Sequence, residues 1–244
     1  WTDVDTAVAD ALENIPFDRR HQRECYYLYY EVTPTGEVRQ QLFCRGTTLL
    51  ADVVTGLKAV FVKDDELDGA RVHYGFRQHA DRLLADVEPL LVGGKRGTLE
   101  LCGHSLGGAV AMIAAMKLKK RGFRVVRVTT VGSPRICDAW SVGILAGLLP
   151  EDTLRVEHER DVVAFLPPYG AHLGDKLLLR DMSFDAKFVR FETRSWWDDS
   201  VLVNFEIPEI IRAMPQVHYV PSYVANLRHL EKQFREVHRD KQVK

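Results

Sequence analysis

An α/β architecture, with a mostly parallel central sheet and helices on both faces, is predicted by three observations. Strand-like and helix-like segments alternate along the chain. One tight turn, Gly103-His104-Ser105-Leu106-Gly107, joins an apolar strand pattern to a helix of small residues. No internal repeat or low-complexity linker breaks the alternation. The 244 residues, 46% hydrophobic and 27% charged, can bury a full core, and residues 1–244 are read as one domain.

Taken in order, Val4, Val8 and Leu12 recur at helical spacing within Thr2 to Leu12. Cys25 to Thr33 and Val38 to Cys44 then flank the turn Pro34-Thr35-Gly36, which predicts an antiparallel hairpin. Gly75 to Leu91 reads as a helix and Thr98 to Cys102 as a buried strand. After the tight turn, Ala109, Val110, Ile113, Ala114, Ala115 and Leu118 continue as a helix. Gly122 ends it, behind a cationic last turn of Lys117, Lys119, Lys120 and Arg121 that suits the negative end of the helix dipole. Strands follow at Arg124 to Val131 and Thr153 to His158, and alternating Phe188, Val189 and Phe191 predict further strands within Leu177 to Pro215. Tyr223 to Val237 is an amphipathic helix striped by Val224, Leu227, Leu230, Phe234 and Val237. Lys63-Asp64-Asp65-Glu66 and Asp198-Asp199 read as solvated loops.

Composition excludes several classes of function. With 33 Lys+Arg against 34 Asp+Glu the net charge is −1, which supplies no basic field for nucleic acid. HExxH, P-loop and GxGxxG patterns are absent, so neither a metal nor a nucleotide cofactor is expected. Cys25, Cys44, Cys102 and Cys137 show no CxxC spacing and two fall in core strands, which predicts free thiols and leans toward an intracellular compartment. No apolar run reaches the ~18 residues of a membrane span, so no transmembrane anchor is expected in this segment. The start at Trp1 rather than methionine suggests a truncated N-terminus and leaves the compartment open.

The turn at Gly103 to Gly107 has the layout of a nucleophile elbow. A serine there is thrust outward at the top of a parallel sheet on a strained backbone, and the glycines two before and two after it remove colliding side chains. With 7 serines and 17 glycines in the chain, composition alone predicts only about 0.03 GxSxG matches, so chance is a weak explanation. Around it stand FCRGTT at Phe43 to Thr48, VHYGF at Val72 to Phe76, GHSLGGA at the elbow, VGSPR at Val131 to Arg135 and DVVAFLPP at Asp161 to Pro168. Together, in this order, they resemble the class 3 lipases over roughly residues 38 to 227. The resemblance implies the α/β-hydrolase fold and a serine carboxylic-ester hydrolase. Two departures touch no presumed catalytic atom: Cys44 stands where the family usually has phenylalanine before Arg-Gly, and Ile136-Cys137-Asp138 replaces Val-Gly-Asn.

A serine hydroxyl is a poor nucleophile until a neutral imidazole takes its proton, and the imidazole needs a carboxylate to orient it. Asp161 follows the strand ending at His158, which places it at the carboxyl edge of the sheet where the elbow opens. Asp138, Asp152 and Asp175 lack that position. The resemblance selects Asp161 as well. Downstream histidines are His172, His218, His229 and His238, and the last two lie on the amphipathic helix. His218 sits on a loop before that helix and matches the family's base, with an aromatic residue several positions later. His172 stays the alternative, at a position where the family often carries a histidine it does not use. His104 and His73 read as packing and sheet-edge support.

The oxyanion of acyl transfer needs preorganised donors. The Leu106 amide, at the helix start, supplies one. For the second, Gly46 permits a tight path and the resemblance places Thr47 there. Leu49, Leu50, Val53, Val54 and Leu57 then form an amphipathic stretch where the family carries its lid; a helix that always packs on the core explains them equally well. The apolar stretch Trp140 to Leu149 is a second candidate wall for an acyl groove. The expected partner is therefore a lipid or acyl-ester substrate at a lipid interface, with acylglycerols first. Phospholipase A1, galactolipase, feruloyl esterase and thioesterase activities use the same machinery. A catalytically silent lipase-like interaction module is the alternative from another class.

Overall fold

The computed structural model describes residues 26–46, 60–94, 97–159, 161–179, 189–192, 218 and 223. The segments with period-two alternation form a seven-stranded sheet. β1 (Tyr26–Val32) and β2 (Val38–Cys44) make the predicted antiparallel hairpin, with Tyr26 opposite Cys44 and Val32 opposite Val38. In β2, Val38, Leu42 and Cys44 point inward while Arg39, Gln41 and Phe43 face out. Gln40 is also buried, and backbone satisfies it: its amide donates to Val92 O at 2.9 Å and its carbonyl oxygen accepts from Val92 N at 2.7 Å.

Two short strands, β3 (Phe61–Asp64) and β4 (Ala70–His73), come next in the chain. The large sheet resumes with β5 (Gly97–His104) and β6 (Val125–Val131) and, after β7 (Cys137–Asp138), with β8 (Asp152–His158). β9 (Gly170–Ala171), β10 (Asp175–Leu179) and β11 (Val189–Glu192) complete the described set. Spatial order in the large sheet is β1-β2-β5-β6-β8-β10-β11. Its five inner strands run parallel, and only the two edge strands are antiparallel. The mostly parallel sheet expected of the α/β-hydrolase fold is therefore present, and β5, which carries the elbow, lies well inside it.

Helix α1 (Tyr74–Val87) buries Phe76, Ala80, Leu83, Leu84 and Val87 on one stripe. It ends four residues earlier than the periodicity suggested, passing into a 3₁₀ turn at Glu88–Leu90 with Pro89 in its first turn. His73, expected to support the sheet edge, caps α1 instead: Nδ1 accepts from Phe76 N at the helix start, and the ring stacks on Phe76 with centroids 4.1 Å apart. Helix α2 (Leu106–Lys120) is buried from Gly107 to Leu118, and its glycines and alanines let it sit between the sheet and α1. Each fully buried aliphatic side chain here, such as Leu84, Ile113 and Leu118, contributes about 1.5–3 kcal/mol.

Registers Leu101↔Val128 and Val128↔Thr153 put those residues on the α2 face. Leu154 and Val156 consequently point to the opposite face, where Tyr223 packs against Val156, Leu177 and Leu179. Tyr223 itself has helical backbone.

One expectation needs correction, and two features go beyond the sequence reading. Lys63-Asp64-Asp65-Glu66 is not a solvated loop: it is the end of β3 and the start of a 3₁₀ turn (Asp65–Leu67), with Asp64 only 4% exposed. β3, β4, β7 and β9 form a second, antiparallel sheet, which the sequence did not signal because strands of two to four residues show no readable period. Lys117 stands in the cationic last turn of α2 as expected, but it is not solvated. It is buried against Asp64 (2.8 Å) and Asp81 (2.5 Å), with Glu66 at 3.5 Å.

Within Trp140 to Leu149, α3 (Val142–Ala146) buries Val142 and Leu145, and Trp140, in the 3₁₀ turn before it, is exposed. Cys44, Cys102 and Cys137 are free thiols, the first and last buried. No helix among the described residues is long and apolar enough to cross a membrane. The helices expected at Thr2 to Leu12 and beyond Tyr223, and most of Leu177 to Pro215, lie outside the described residues.

Candidate active site

The elbow forms where β5 stops at His104 and α2 starts at Leu106. Ser105 between them has φ +56° and ψ −130°, a backbone state that costs a residue with a Cβ about 1–3 kcal/mol. Close packing enforces it. A Cβ on Gly103 would stand 2.1 Å from Gly107 O, and one on Gly107 would stand 2.2 Å from Cys44 O. The Ser105 amide donates to Val131 O at 2.9 Å. Gly46 lies so close that a Cβ there would be 3.0 Å from Ser105 Cβ, so the loop leaving β2 runs against the serine. Leu106 opens α2, and its amide belongs to the first-turn donors that have no acceptor within the helix. Thr47 and the candidate lid residues Leu49, Leu50, Val53, Val54 and Leu57 lie outside the described residues.

Asp161 stands three residues past β8, 1% exposed, and every acceptor site that faces a donor is used. Its Oδ1 accepts from Val163 N at 3.0 Å. Its Oδ2 accepts from His218 Nδ1 at 2.7 Å and from Tyr223 Oη at 2.6 Å. The carboxylate therefore holds the His218 proton on Nδ1 and leaves Nε2 as the free lone pair. Both His218 Nε2 and Ser105 Oγ are buried and have no hydrogen-bond partner among the described residues. Tyr223 Oη in turn accepts from His158 N at 3.1 Å. Burial and the adjacent Asp161 charge push the Tyr223 phenol well above its ordinary value of 10.0, so it remains a donor.

Of the rival residues, His172 Nε2 contacts Ala164 O at 2.6 Å and lies 3.4 Å from Glu157 Oε1. Asp138 caps the 3₁₀ turn at Ala139–Ser141 by accepting from Ser141 N, and Asp152 pairs with Arg127. Asp175 is exposed at the start of β10. None of them contacts Ser105, Asp161 or His218 through a described bond. His229 and His238 lie outside the described residues.

Two neighbours of the site were not given a role by sequence reasoning. In the sequence Tyr223 reads as the start of an amphipathic helix. Gly132 was read only as part of VGSPR. It has φ +55°, and a Cβ there would lie 2.7 Å from Asp161 Oδ2 and 3.2 Å from His218 Cε1. Its place immediately after β6, at the carboxyl edge of the sheet, was the available signal. Gly132→Ala is expected to displace the Asp161–His218 pair, read as a shifted or broadened imidazole N–H proton resonance of His218.

Residues 41–170, more than half of the chain, match the family model described as Lipase (class 3). A lipase of Rhizopus niveus is 30% identical over 136 residues, covering 52% of this chain and 34% of that protein. Lipase A of Sodiomyces alcalophilus is 35% identical over 128 residues, covering 44% of this chain and 31% of that protein. The chain thus spans about a third of the length of these curated relatives. Among solved structures, lipase II from Rhizopus niveus aligns with a TM-score of 0.55 at 26% identity, covering 64% of this chain and 62% of that one. The triacylglyceride lipase of Rhizomucor miehei aligns with a TM-score of 0.55 over 76% of this chain and 79% of that one; at 20% identity it speaks to the fold alone. The matched span runs from the end of β2 through the elbow to the residues after Asp161, and the chain belongs to the class 3 lipase family.

Proposed function

We propose that this chain, read as one domain over residues 1–244, is a serine carboxylic-ester hydrolase acting on acylglycerol-type lipids. The observation that carries the reading is the buried His218–Asp161 contact at 2.7 Å, in a chain whose GxSxG serine, Ser105, has a positive φ of 56°. Ser105 Oγ adds to the ester carbonyl as its proton passes to His218 Nε2. Asp161 keeps the imidazole in the tautomer that can accept that proton and stabilises the imidazolium. The tetrahedral oxyanion is held by the Leu106 amide and by Thr47. Collapse breaks the bond to the alcohol, which leaves with the proton from His218, and a water molecule repeats the sequence on the acyl-enzyme.

Ser105 and His218 are 1% and 2% exposed, a depth that supports an access route which must open before substrate enters. The stretch Leu49 to Leu57 is the candidate lid. A lipid substrate is further supported by similarity to a protein named secreted mono- and diacylglycerol lipase 1, of Fusarium solani, at 34% identity.

The test is a fluorophosphonate probe with the adduct mapped by mass spectrometry. It is combined with a panel of triacylglycerol, monoacylglycerol, phospholipid, galactolipid and soluble short-chain esters, each with and without an interface. Labelling of Ser105 with turnover of acylglycerols is the expected outcome. Labelling with turnover of soluble esters only would move the assignment to an esterase, and no labelling at all would leave the interaction module.

A further inference from the structure

His104, expected to pack, does so against His218. It ends β5, where pairing with Val131 fixes its backbone directly before Ser105. Its Nε2 lies 2.7 Å from the backbone oxygen of His218, and the two imidazole rings face each other with centroids 4.7 Å apart and planes 35° apart. The Tyr223 ring meets His104 edge-on at 6.4 Å. A carbonyl oxygen only accepts, so His104 carries its proton on Nε2 and donates. Burial, and then the neighbouring His218, hold the His104 pKa below the ordinary histidine value, which keeps it a neutral donor.

His218 is consequently gripped twice. Asp161 holds its side chain at Nδ1, and His104 holds its main chain at the carbonyl. With only the first contact, the residue could swing about the carboxylate and carry Nε2 off line. Resting on the reading of Ser105, His218 and Asp161 as a triad, we infer that His104 is a positioning residue: its hydrogen bond to the His218 carbonyl and its ring against the imidazole aim Nε2 at the serine. The residue before the nucleophile thereby ties the elbow to the base, two parts of the site that lie 114 positions apart in the chain.

The experiment compares His104→Leu, His104→Asn and His104→Gln with the wild-type chain. The glutamine side chain brings an N–H donor to the place of Nε2, whereas asparagine is too short and leucine has none. Four readouts are taken: kcat and KM on a soluble ester, the rate of fluorophosphonate inactivation, the downfield imidazole N–H proton resonance of His218, and the urea midpoint. Leucine and asparagine are expected to lower kcat and the inactivation rate by about 10- to 100-fold, with KM within about twofold, and to broaden the resonance. Glutamine is expected to recover to within about threefold of wild type, at whatever urea midpoint it has.

Equal rates and an unchanged resonance in the leucine and asparagine variants would overturn the inference. So would a glutamine variant as slow as asparagine at the same folded fraction. If wild type does not react with the probe, the failure belongs to the triad reading. The resonance, which needs no turnover, then still decides whether His104 holds His218.

Discussion

Replacing Ser105 with alanine is expected to lower kcat for ester hydrolysis by about 10⁶-fold, and Asp161→Asn by about 10⁴-fold, both measured on a soluble ester against the uncatalysed background. The serine loss removes the attacking atom. The aspartate loss acts through donors and acceptors. Asp161 Oδ2 receives His218 Nδ1 and Tyr223 Oη, and Oδ1 receives the Val163 amide, so three donors converge on one carboxylate. An introduced amide has one oxygen and one NH₂. If NH₂ faces His218, the imidazole must carry its proton on Nε2, where it should accept from the serine. If NH₂ faces the Val163 amide, two donors oppose each other in a buried site, at a cost of about 1–3 kcal/mol. Either arrangement leaves Ser105 in place, so probe labelling should slow as turnover does. A Ser105→Ala/His218→Ala double variant is expected to be no slower than Ser105→Ala alone, because the residues act as one unit.

Lys117→Met is expected to destabilise the fold by about 3–5 kcal/mol, read from urea unfolding. The ammonium is 4% exposed and lies between Asp64 and Asp81, and Asp64 is itself 5% exposed. Removing the lysine therefore leaves a buried carboxylate with no counter-charge. Lys117→Met/Asp64→Asn should recover much of the loss, since asparagine removes the charge yet keeps the oxygen that accepts from Glu66 N at 3.1 Å. Burial alone would lower the Lys117 pKa, but hydrogen bonds to Asp64 and Asp81 outweigh it and raise it above 10.5. A raised lysine contributes stability that is complete below its unfolded value and is lost as pH climbs through its folded value. Wild type should accordingly lose stability above about pH 10.5, and Lys117→Met should lack that increment. The cluster ties α2, which begins at the serine, to β3 and α1, with Arg121 extending it to Glu66 and Glu88. Its failure would loosen the helix that begins at Ser105.

Much of the candidate site was legible because its chemistry is local. The elbow needs two glycines at fixed offsets and a strand and helix on either side, all within a dozen residues, and the backbone of Ser105 agrees. Asp161 followed from its position after a strand of parallel pattern. The histidine was harder, since four candidates remained on order alone. Contact with the carboxylate separates His218 from His172, whose ring instead meets Ala164 O and Glu157.

Local grammar could be read along the chain: alternating elements, a serine on a tight turn, a carboxylate at a strand end, and motifs in class 3 lipase order. Period and turn chemistry act between near neighbours, so they can be read along a line. Packing, by contrast, makes Lys117 a core ion, leaves no room for a Cβ on Gly132 beside Asp161 and His218, lets Tyr223 donate to the same carboxylate, and brings His104 to the His218 carbonyl. Those contacts join residues from 29 to 114 positions apart, each set by how strands register and helices pack, and no spacing in the chain encodes a distance that long-range packing alone creates.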